Sequence, residues 1–282
     1  MKSKSAPMAA FIGTTPNIGT TTAAFSAAVR LAEATGKPIG YLCLNLKSAK
    51  LYRFLGVDEP ETTLDKLQPE LRSASMTPSM LLRATHALPR QPNLHILFGS
   101  VNREQAEFFS DKELEHLLDV AEQAFSFVVL DLGAYWDNAA TVCSIRRAAT
   151  RIVVTTGALS HFQEDGRRWI GEVSPLFQVQ PEQYECVVVR GTSGHASFSP
   201  AQISRELGAA SLGELHLTPA LYASLDKGAL GDWLKEDKGG KAAMAAPARL
   251  LANRYGLGAF PRKDRQPWYL KLANMRGGVG SA

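Results

Sequence analysis

The chain has 282 residues, 45% of them hydrophobic, and a net charge of +4 from 31 basic and 27 acidic residues. This length and composition provide for a sizeable core, in one large domain or two small ones, and so mild a charge excess does not by itself indicate a nucleic-acid or membrane partner. Three scattered cysteines exclude a disulfide framework or a cysteine-rich zinc site.

Short apolar segments alternate with amphipathic ones along the chain. The pattern predicts strands at 9–13, 38–46, 93–99, 127–133, 151–156 and 184–191, and helices at 20–35, 111–125, 137–149, 162–173 and 241–255. Residues 48–90 predict short helices separated by prolines. This alternation predicts the α/β class, with a doubly wound, mostly parallel sheet covered by helices on both faces. We expect one domain at 9–257, between a flexible segment 1–8 and a basic, aromatic tail 258–282.

The first strand-to-helix turn carries the main functional signal. The segment Phe11–Ala24 is FIGTTPNIGTTTAA, in which an apolar strand, two glycines and a threonine-rich helix start follow one another. In parallel sheets this turn is a common phosphate cradle, because free N–H groups and the positive end of the helix dipole meet there. Gly19 allows close approach of the backbone, and the hydroxyl of Thr21 or Thr22 could bind Mg²⁺ or a phosphate. The alternative is an ordinary turn whose threonines cap a helix.

This layout resembles the ParA/MinD branch of P-loop ATPases, whose loop reads Lys-Gly-Gly-Val-Gly-Lys-Thr-Thr. On that pattern Thr15 stands at the signature lysine, Thr20 at the phosphate-binding lysine and Thr21 at the magnesium-binding hydroxyl. Pro16 and Asn17 replace two glycines. The ending NIGTTT is most similar to the CpaE/TadZ family of pilus-assembly and localisation proteins, whose loops commonly lack the ordinary lysine. The deviant P-loop is therefore expected to have degenerate motifs.

Three later segments support the same resemblance. FSFVVLDLGAYWDNAA resembles the Walker B strand, with Asp131 at the magnesium site, and AATRIVVTTGALSHFQ resembles the next strand. CVVVRG places Arg190 where the family has a base-recognising asparagine. In YLCLNLKS, Cys43 and Asn45 stand where the family has two carboxylates. The resemblance thus implies nucleotide-binding residues Thr15, Pro16, Asn17, Ile18, Gly19, Thr20, Thr21, Thr22 and Arg190, and magnesium-binding residues Thr21 and Asp131.

The missing lysines and carboxylates should weaken hydrolysis more than binding, because they act mainly on the transferred phosphoryl group. ATP and Mg²⁺ are the expected ligands, although a nucleotide-free protein is one alternative. Lys47 is either a substitute cation or a solvated loop lysine. Asp137 either reaches the site or begins a helix. Trp136 either packs in the core or plugs the pocket.

The resemblance implies a homodimeric pseudo-ATPase scaffold that localises or assembles a pilus or secretion-type envelope machine. The alternatives are an active ParA/MinD-type ATPase that cycles on DNA or membrane, and a nucleotide-free interaction module. No apolar stretch has the roughly 18 residues of a membrane span, and the apolar run after Lys2 and Lys4 is too short for a secretion signal. We expect a cytoplasmic protein. Its tail combines Trp268 and Leu272 with basic residues, which favours a docked tail or a peripheral membrane contact over nucleic acid.

Overall fold

A computed structural model describes residues 5–191 and 198–258, except for the side chains of residues 105 and 106. The strands of the described chain are β1 (Met8–Gly13), β2 (Ile39–Cys43), β3 (His86–Leu88), β4 (Gln91–Leu97), β5 (Phe127–Asp131), β6 (Thr150–Thr156), β7 (Tyr184–Arg190) and β8 (Ala210–His216). They form one sheet in the order β3-β4-β2-β5-β1-β6-β7-β8. All neighbouring strands are parallel except β3 and β4.

Helices connect the strands. They are α1 (Thr20–Thr35), α2 (Leu51–Phe54), α3 (Gln68–Arg72), α4 (Pro78–Arg83), α5 (Asp111–Ala124), α6 (Ala139–Arg147), α7 (Pro200–Glu206), α8 (Pro219–Asp226), α9 (Leu230–Glu236), α10 (Lys238–Ala242) and α11 (Ala245–Arg254). A π-helix spans Ser160–Val173 between β6 and β7. Short 3-10 turns lie at Leu64–Leu67, Arg103–Phe108, Ser174–Phe177 and Pro181–Gln183.

The sheet has an apolar core on each face. Successive side chains of a strand point to opposite faces, so Phe11 and Tyr41 pack with α1, α8, α9 and α11, whereas Ile12 and Leu42 pack with α5, α6, α7 and the π-helix. The prediction of a single α/β domain with a doubly wound, mostly parallel sheet is confirmed. The alternation of strands and helices could be recognised in the sequence because a strand that is buried on both faces is a continuous run of apolar residues.

Two strands were missed by the sequence pattern, and β2 was predicted too long. β8 lies at an edge of the sheet and buries only two hydrophobic side chains of its own, Leu212 and Leu215, so it lacks a continuous apolar run. β3 has only three residues and is the antiparallel edge. β2 ends at Cys43 rather than at residue 46, because the side chain of Asn45 closes a turn with Ser48.

The described chain is already packed at its N-terminal end. β1 begins at Met8, and the amide of Ala6 donates to the carbonyl of Glu122 at 3.1 Å, so packed chain already precedes residue 9. The predictions for residues 1–4 and for the tail beyond Gly258 lie outside the described residues. Within the described ranges, none of the helices has the length and hydropathy that crossing a bilayer requires.

Candidate functional site

The loop between β1 and α1 forms the floor of the candidate site. It leaves the sheet at Gly13 and enters α1 at Thr20, and both Asn17 and Gly19 have left-handed backbone angles, with φ of 63° and 98°. Glycine takes this conformation freely, and asparagine is one of the few other residues that visit it routinely. Such a turn at a helix N-terminus, where N–H groups are free and the dipole is positive, suits an anion.

Thr20 does not extend toward the mouth of this loop. Its side chain is buried, and a Cβ added at Gly13 would lie 2.5 Å from its Oγ1, so the hydroxyl lies directly against the backbone of Gly13. This contact explains why residue 13 is a glycine. Because threonine is uncharged, the position of the phosphate-binding lysine contributes no charge.

Thr21 and Asp131 meet at the base of the loop. Thr21 Oγ1 donates to Asp131 Oδ2 at 2.8 Å, and the hydroxyl of Tyr41 donates to the same oxygen at 2.7 Å. The amide of Gly133 donates to Oδ1 at 3.2 Å. Burial raises the pKa of Asp131, and these hydrogen bonds oppose that rise. A threonine hydroxyl beside an aspartate carboxylate is a suitable pair of oxygen donors for Mg²⁺, so the two residues fit the predicted metal role.

An open cavity of about 170 Å³ lies over the loop. The lining residues that come from the β1–α1 loop, the start of α1 and the β2–α2 turn, most of them polar, are Pro16, Asn17, Gly19, Thr20, Thr21, Thr22, Asn45, Ser48 and Lys50, and the other lining residues are Phe54, Gly133, Ala134, Tyr135, Leu217, Tyr222 and Leu225. The cavity therefore combines a polar floor with a largely apolar wall. It lies at the carboxyl ends of the strands, where ligands of open α/β sheets bind.

Three of the predicted nucleotide-binding residues are not among the residues that line this cavity. Ile18 is buried in the core beside α1. Thr15 donates from Oγ1 to Asp165 Oδ2 of the π-helix at 2.5 Å. Arg190 donates from Nε to Glu214 Oε1 at 2.9 Å and from Nη1 to the carbonyl of Phe198 at 2.9 Å.

The replacements for the two carboxylates have structural partners. Cys43 is buried with its Sγ 3.9 Å from Asp131 Oδ2, and burial raises the pKa of this thiol, which keeps it neutral. Asn45 accepts from the amide of Ser48 at 3.0 Å and donates to the carbonyl of the same residue at 3.1 Å. An amide held in this way cannot act as a general base.

Trp136 and Asp137, which follow β5, are not among the described residues that line the cavity. Trp136 is buried, stacks on Trp169 with ring centroids 5.8 Å apart, and donates from Nε1 to the carbonyl of Gly13 at 3.2 Å. It supports the loop from below, as the packing interpretation expects. Asp137 forms an ion pair with Lys47 at 2.7 Å, and Asn138 is the residue that caps α6.

Sequence reasoning missed several residues of the cavity. Lys50, Phe54, Leu217, Tyr222 and Leu225 come from α2, the end of β8 and α8. No local pattern identifies them, since they are far apart in the sequence and lie among ordinary helix and loop residues. Tyr41 was also missed, because a tyrosine in an apolar strand has the pattern of a core residue.

No family model matches the chain, and no curated protein matches it. Among solved structures, it is similar to a ParA family ATPase from Chlorobium tepidum TLS, at 15% identity and a TM-score of 0.72 over 86% of this chain and 98% of that one. It is also similar to the septum site-determining protein MinD complexed with Mg-ADP from Pyrococcus horikoshii OT3, at 17% identity and a TM-score of 0.70 over 89% and 98%. A third similar structure is MinD in the MinC:MinD cell division protein complex of Aquifex aeolicus, at 18% identity and a TM-score of 0.67 over 88% and 96%. Identities this low show a shared fold.

Proposed function

We propose that this protein, which has the ParA/MinD fold, binds a magnesium–adenine nucleotide in the cavity and hydrolyses it slowly or not at all. The contact that carries the proposal is the 2.8 Å hydrogen bond between Thr21 Oγ1 and Asp131 Oδ2, at the base of an open cavity. Bound magnesium would neutralise part of the phosphate charge. The MinD of Pyrococcus horikoshii, which has a similar fold, was solved with Mg-ADP, and this supports the choice of ligand.

Slow hydrolysis is the expected consequence of the groups that the site lacks. Thr15 is hydrogen-bonded to Asp165, and Thr20 lies against Gly13, so neither lysine position supplies a cation. Asn45 is held in its turn and cannot accept a proton from water. Phosphoryl transfer depends on positive charge at the developing transition state, whereas binding can still use backbone N–H groups. We therefore expect the protein to bind the nucleotide with little or no hydrolysis.

Calorimetry of the full chain with Mg-ATP and Mg-ADP tests the binding. We expect Thr21→Val to weaken both by about tenfold or more, because it removes one polar contact to a charged group. Thr35→Ala, at the other end of α1, is the matched control and should leave affinity unchanged. A wild-type protein that binds neither nucleotide at millimolar concentration contradicts the proposal, and circular dichroism establishes that each variant is folded.

Phosphate release under the same conditions tests the second half of the proposal. We expect a rate at the buffer background. Turnover that Asp131→Asn abolishes would instead support the alternative of a working ATPase that cycles on DNA or membrane. The nucleotide-free alternative requires a filled pocket, but Trp136 lies beneath the loop and Pro16 at the border of an open cavity.

We also propose that the nucleotide-bound protein is a homodimeric scaffold for a pilus or secretion-type envelope machine. The similarity of NIGTTT to CpaE/TadZ loops supports the machine, and the MinC:MinD complex shows that a protein of this fold binds a protein partner. Half-exposed apolar side chains beyond the ends of β4, β6 and β8, namely Val101, Leu159 and Tyr222, support a contact surface around the cavity. A peripheral membrane contact through residues 258–282 belongs to the same proposal.

A further inference from the structure

The turn between β2 and α2 carries two lysines, Lys47 and Lys50, whose side chains have different surroundings. The side chain of Asn45 closes the turn through both atoms of its amide, which bind the backbone of Ser48. Lys47 then forms an ion pair with Asp137 at 2.7 Å and lies 5.5 Å from the centre of the Tyr135 ring. Lys50 lines the cavity instead. Lys47, which was one candidate for a substitute cation, is thus already paired, whereas Lys50 is not paired within the described ranges.

Among the described residues that line the cavity, Lys50 is the one charged residue. Its ammonium group is solvent-exposed and has no ion-pair partner within the described ranges. The backbone beneath it is well anchored, because its carbonyl accepts from the amides of Arg53 and Phe54 at 3.1 and 3.2 Å. The next residue, Leu51, is buried in the core. An anchored backbone and an unpaired ammonium group suit a lysine that binds an anionic ligand.

The apolar part of the cavity lining comes from packed helices. Phe54 belongs to α2, and Tyr222 and Leu225 belong to α8, which contacts α2. Gly56 and Gly228 make this contact close: a Cβ added at Gly56 would lie 3.0 Å from the carbonyl oxygen of Gly228. Such an apolar wall can pack against a planar aromatic group and offers it no charged partner. The ligand that fits the whole cavity therefore has an apolar planar end and an anionic end.

We propose that Lys50 supplies the positive charge at the phosphates beyond the first, in place of the lysine that Thr20 does not provide, and makes the site selective for nucleoside di- and triphosphates over monophosphates. This inference rests on the proposed nucleotide binding. Lys50 lines the same cavity as the β1–α1 loop but comes from a different segment, so its charge adds to the contacts that the backbone of the loop can make with phosphates. Charge on a flexible lysine acts as a point charge and should be sensitive to salt.

The test is calorimetry of the full chain with ATP, ADP and AMP, each with Mg²⁺, in the wild type and in Lys50→Ala, Lys50→Arg and Lys47→Ala. We expect Lys50→Ala to weaken ATP and ADP by about tenfold to a hundredfold and AMP by less than about threefold, since a charged contact to phosphate is lost only where that phosphate exists. Lys50→Arg should restore most of the affinity. Lys47→Ala is the matched control from the same turn and should affect all three nucleotides alike.

Two results overturn the inference in distinguishable ways. Nucleotide binding by the wild type that Lys50→Ala leaves unchanged, or weakens equally for ATP and AMP, contradicts the role of Lys50 and leaves the proposed function standing. A wild-type protein that binds no nucleotide overturns both. Because Lys50 is exposed, its substitution should not disturb the fold. An ATP affinity that falls less steeply with salt in Lys50→Ala than in the wild type is the second expected readout.

Discussion

At the scale of single residues, the most unusual feature is the crowded carboxylate of Asp131. It is fully buried, and its Oδ2 accepts from the hydroxyls of both Thr21 and Tyr41. Burial raises the pKa of Asp131 above its ordinary value of about 4. An acid of this kind stabilises the folded state fully below its ordinary pKa and loses that contribution as the pH rises through the folded value. The hydrogen bond from the hydroxyl of Tyr41 therefore stabilises the folded protein most when the carboxylate of Asp131 is charged.

Tyr41→Phe should therefore destabilise the protein in a pH-dependent way. We expect the free energy of unfolding to fall by about 1.5–3 kcal/mol at a pH above the raised pKa of Asp131, the usual value of a buried hydrogen bond to a charged group, and by less near pH 4, where the carboxyl is protonated. Urea denaturation at both pH values measures the loss. Tyr184→Phe is the matched control, because its buried hydroxyl bonds the neutral Ser174 at 2.8 Å and its loss should be the same at both. Equal pH dependence in the two variants contradicts the assigned role of Tyr41.

At the scale of elements, the β1–α1 loop is fastened by three other parts of the fold. Thr14 Oγ1 donates to Thr155 Oγ1 of β6 at 3.0 Å, and Thr15 Oγ1 donates to Asp165 of the π-helix. Trp136, after β5, binds the carbonyl of Gly13. These contacts involve no ligand, so the loop is held in its cradle form by the protein itself. Such preorganisation lowers the entropy lost on binding.

The hydrogen bond between the loop and the π-helix can be measured by a double-mutant cycle of Thr15→Val and Asp165→Ala. We expect a coupling free energy of about 1 kcal/mol from denaturation of the four proteins, the net value of a partly exposed hydrogen bond. Asp165→Asn should keep most of the wild-type stability, since an amide oxygen still accepts from Thr15. Additive effects of the two substitutions would show that the contact contributes nothing to the fold.

At the scale of the whole molecule, the parallel sheet places the cavity and several of the exposed apolar side chains at one edge. Segments that follow parallel strands meet at the same edge, so Leu159 and Tyr222 lie near the cavity, after β6 and β8. Leu176 is also exposed, at 77%, but it comes just before β7, at the opposite edge. This asymmetry makes the cavity edge the natural surface for self-association.

Light scattering after size-exclusion chromatography tests that expectation. We predict that Mg-ATP shifts the full chain from monomer to dimer, and that Leu159→Asp prevents the shift because a charge would be buried in the contact. Leu176→Asp is the matched control and should dimerise as the wild type does. A dimer that forms in Leu159→Asp but not in Leu176→Asp would place the contact at the opposite edge of the sheet. A protein that stays monomeric under all conditions would contradict the homodimer.

The fold was readable from the chain because it depends on local patterns, and the same patterns predict where a ligand site would lie. Continuous apolar strands alternating with amphipathic helices imply a parallel sheet, and a glycine-threonine turn after the first strand implies a cradle at its carboxyl edge. Asp131 was singled out by the resemblance of its segment to a Walker B strand. These features need only the periodicity of one element and the rule that connects neighbouring elements.

The partners of each side chain depended on contacts between segments that are distant in sequence. Thr15 and Asp165 are 150 positions apart, and the wall of the cavity joins Phe54 to Tyr222. Arg190 was expected at a base but meets Glu214, and Lys47 was one candidate cation but meets Asp137. Edge strands such as β8 escape pattern analysis because they bury few side chains. Pairing of charges and closure of a pocket follow from packing, which no single segment specifies.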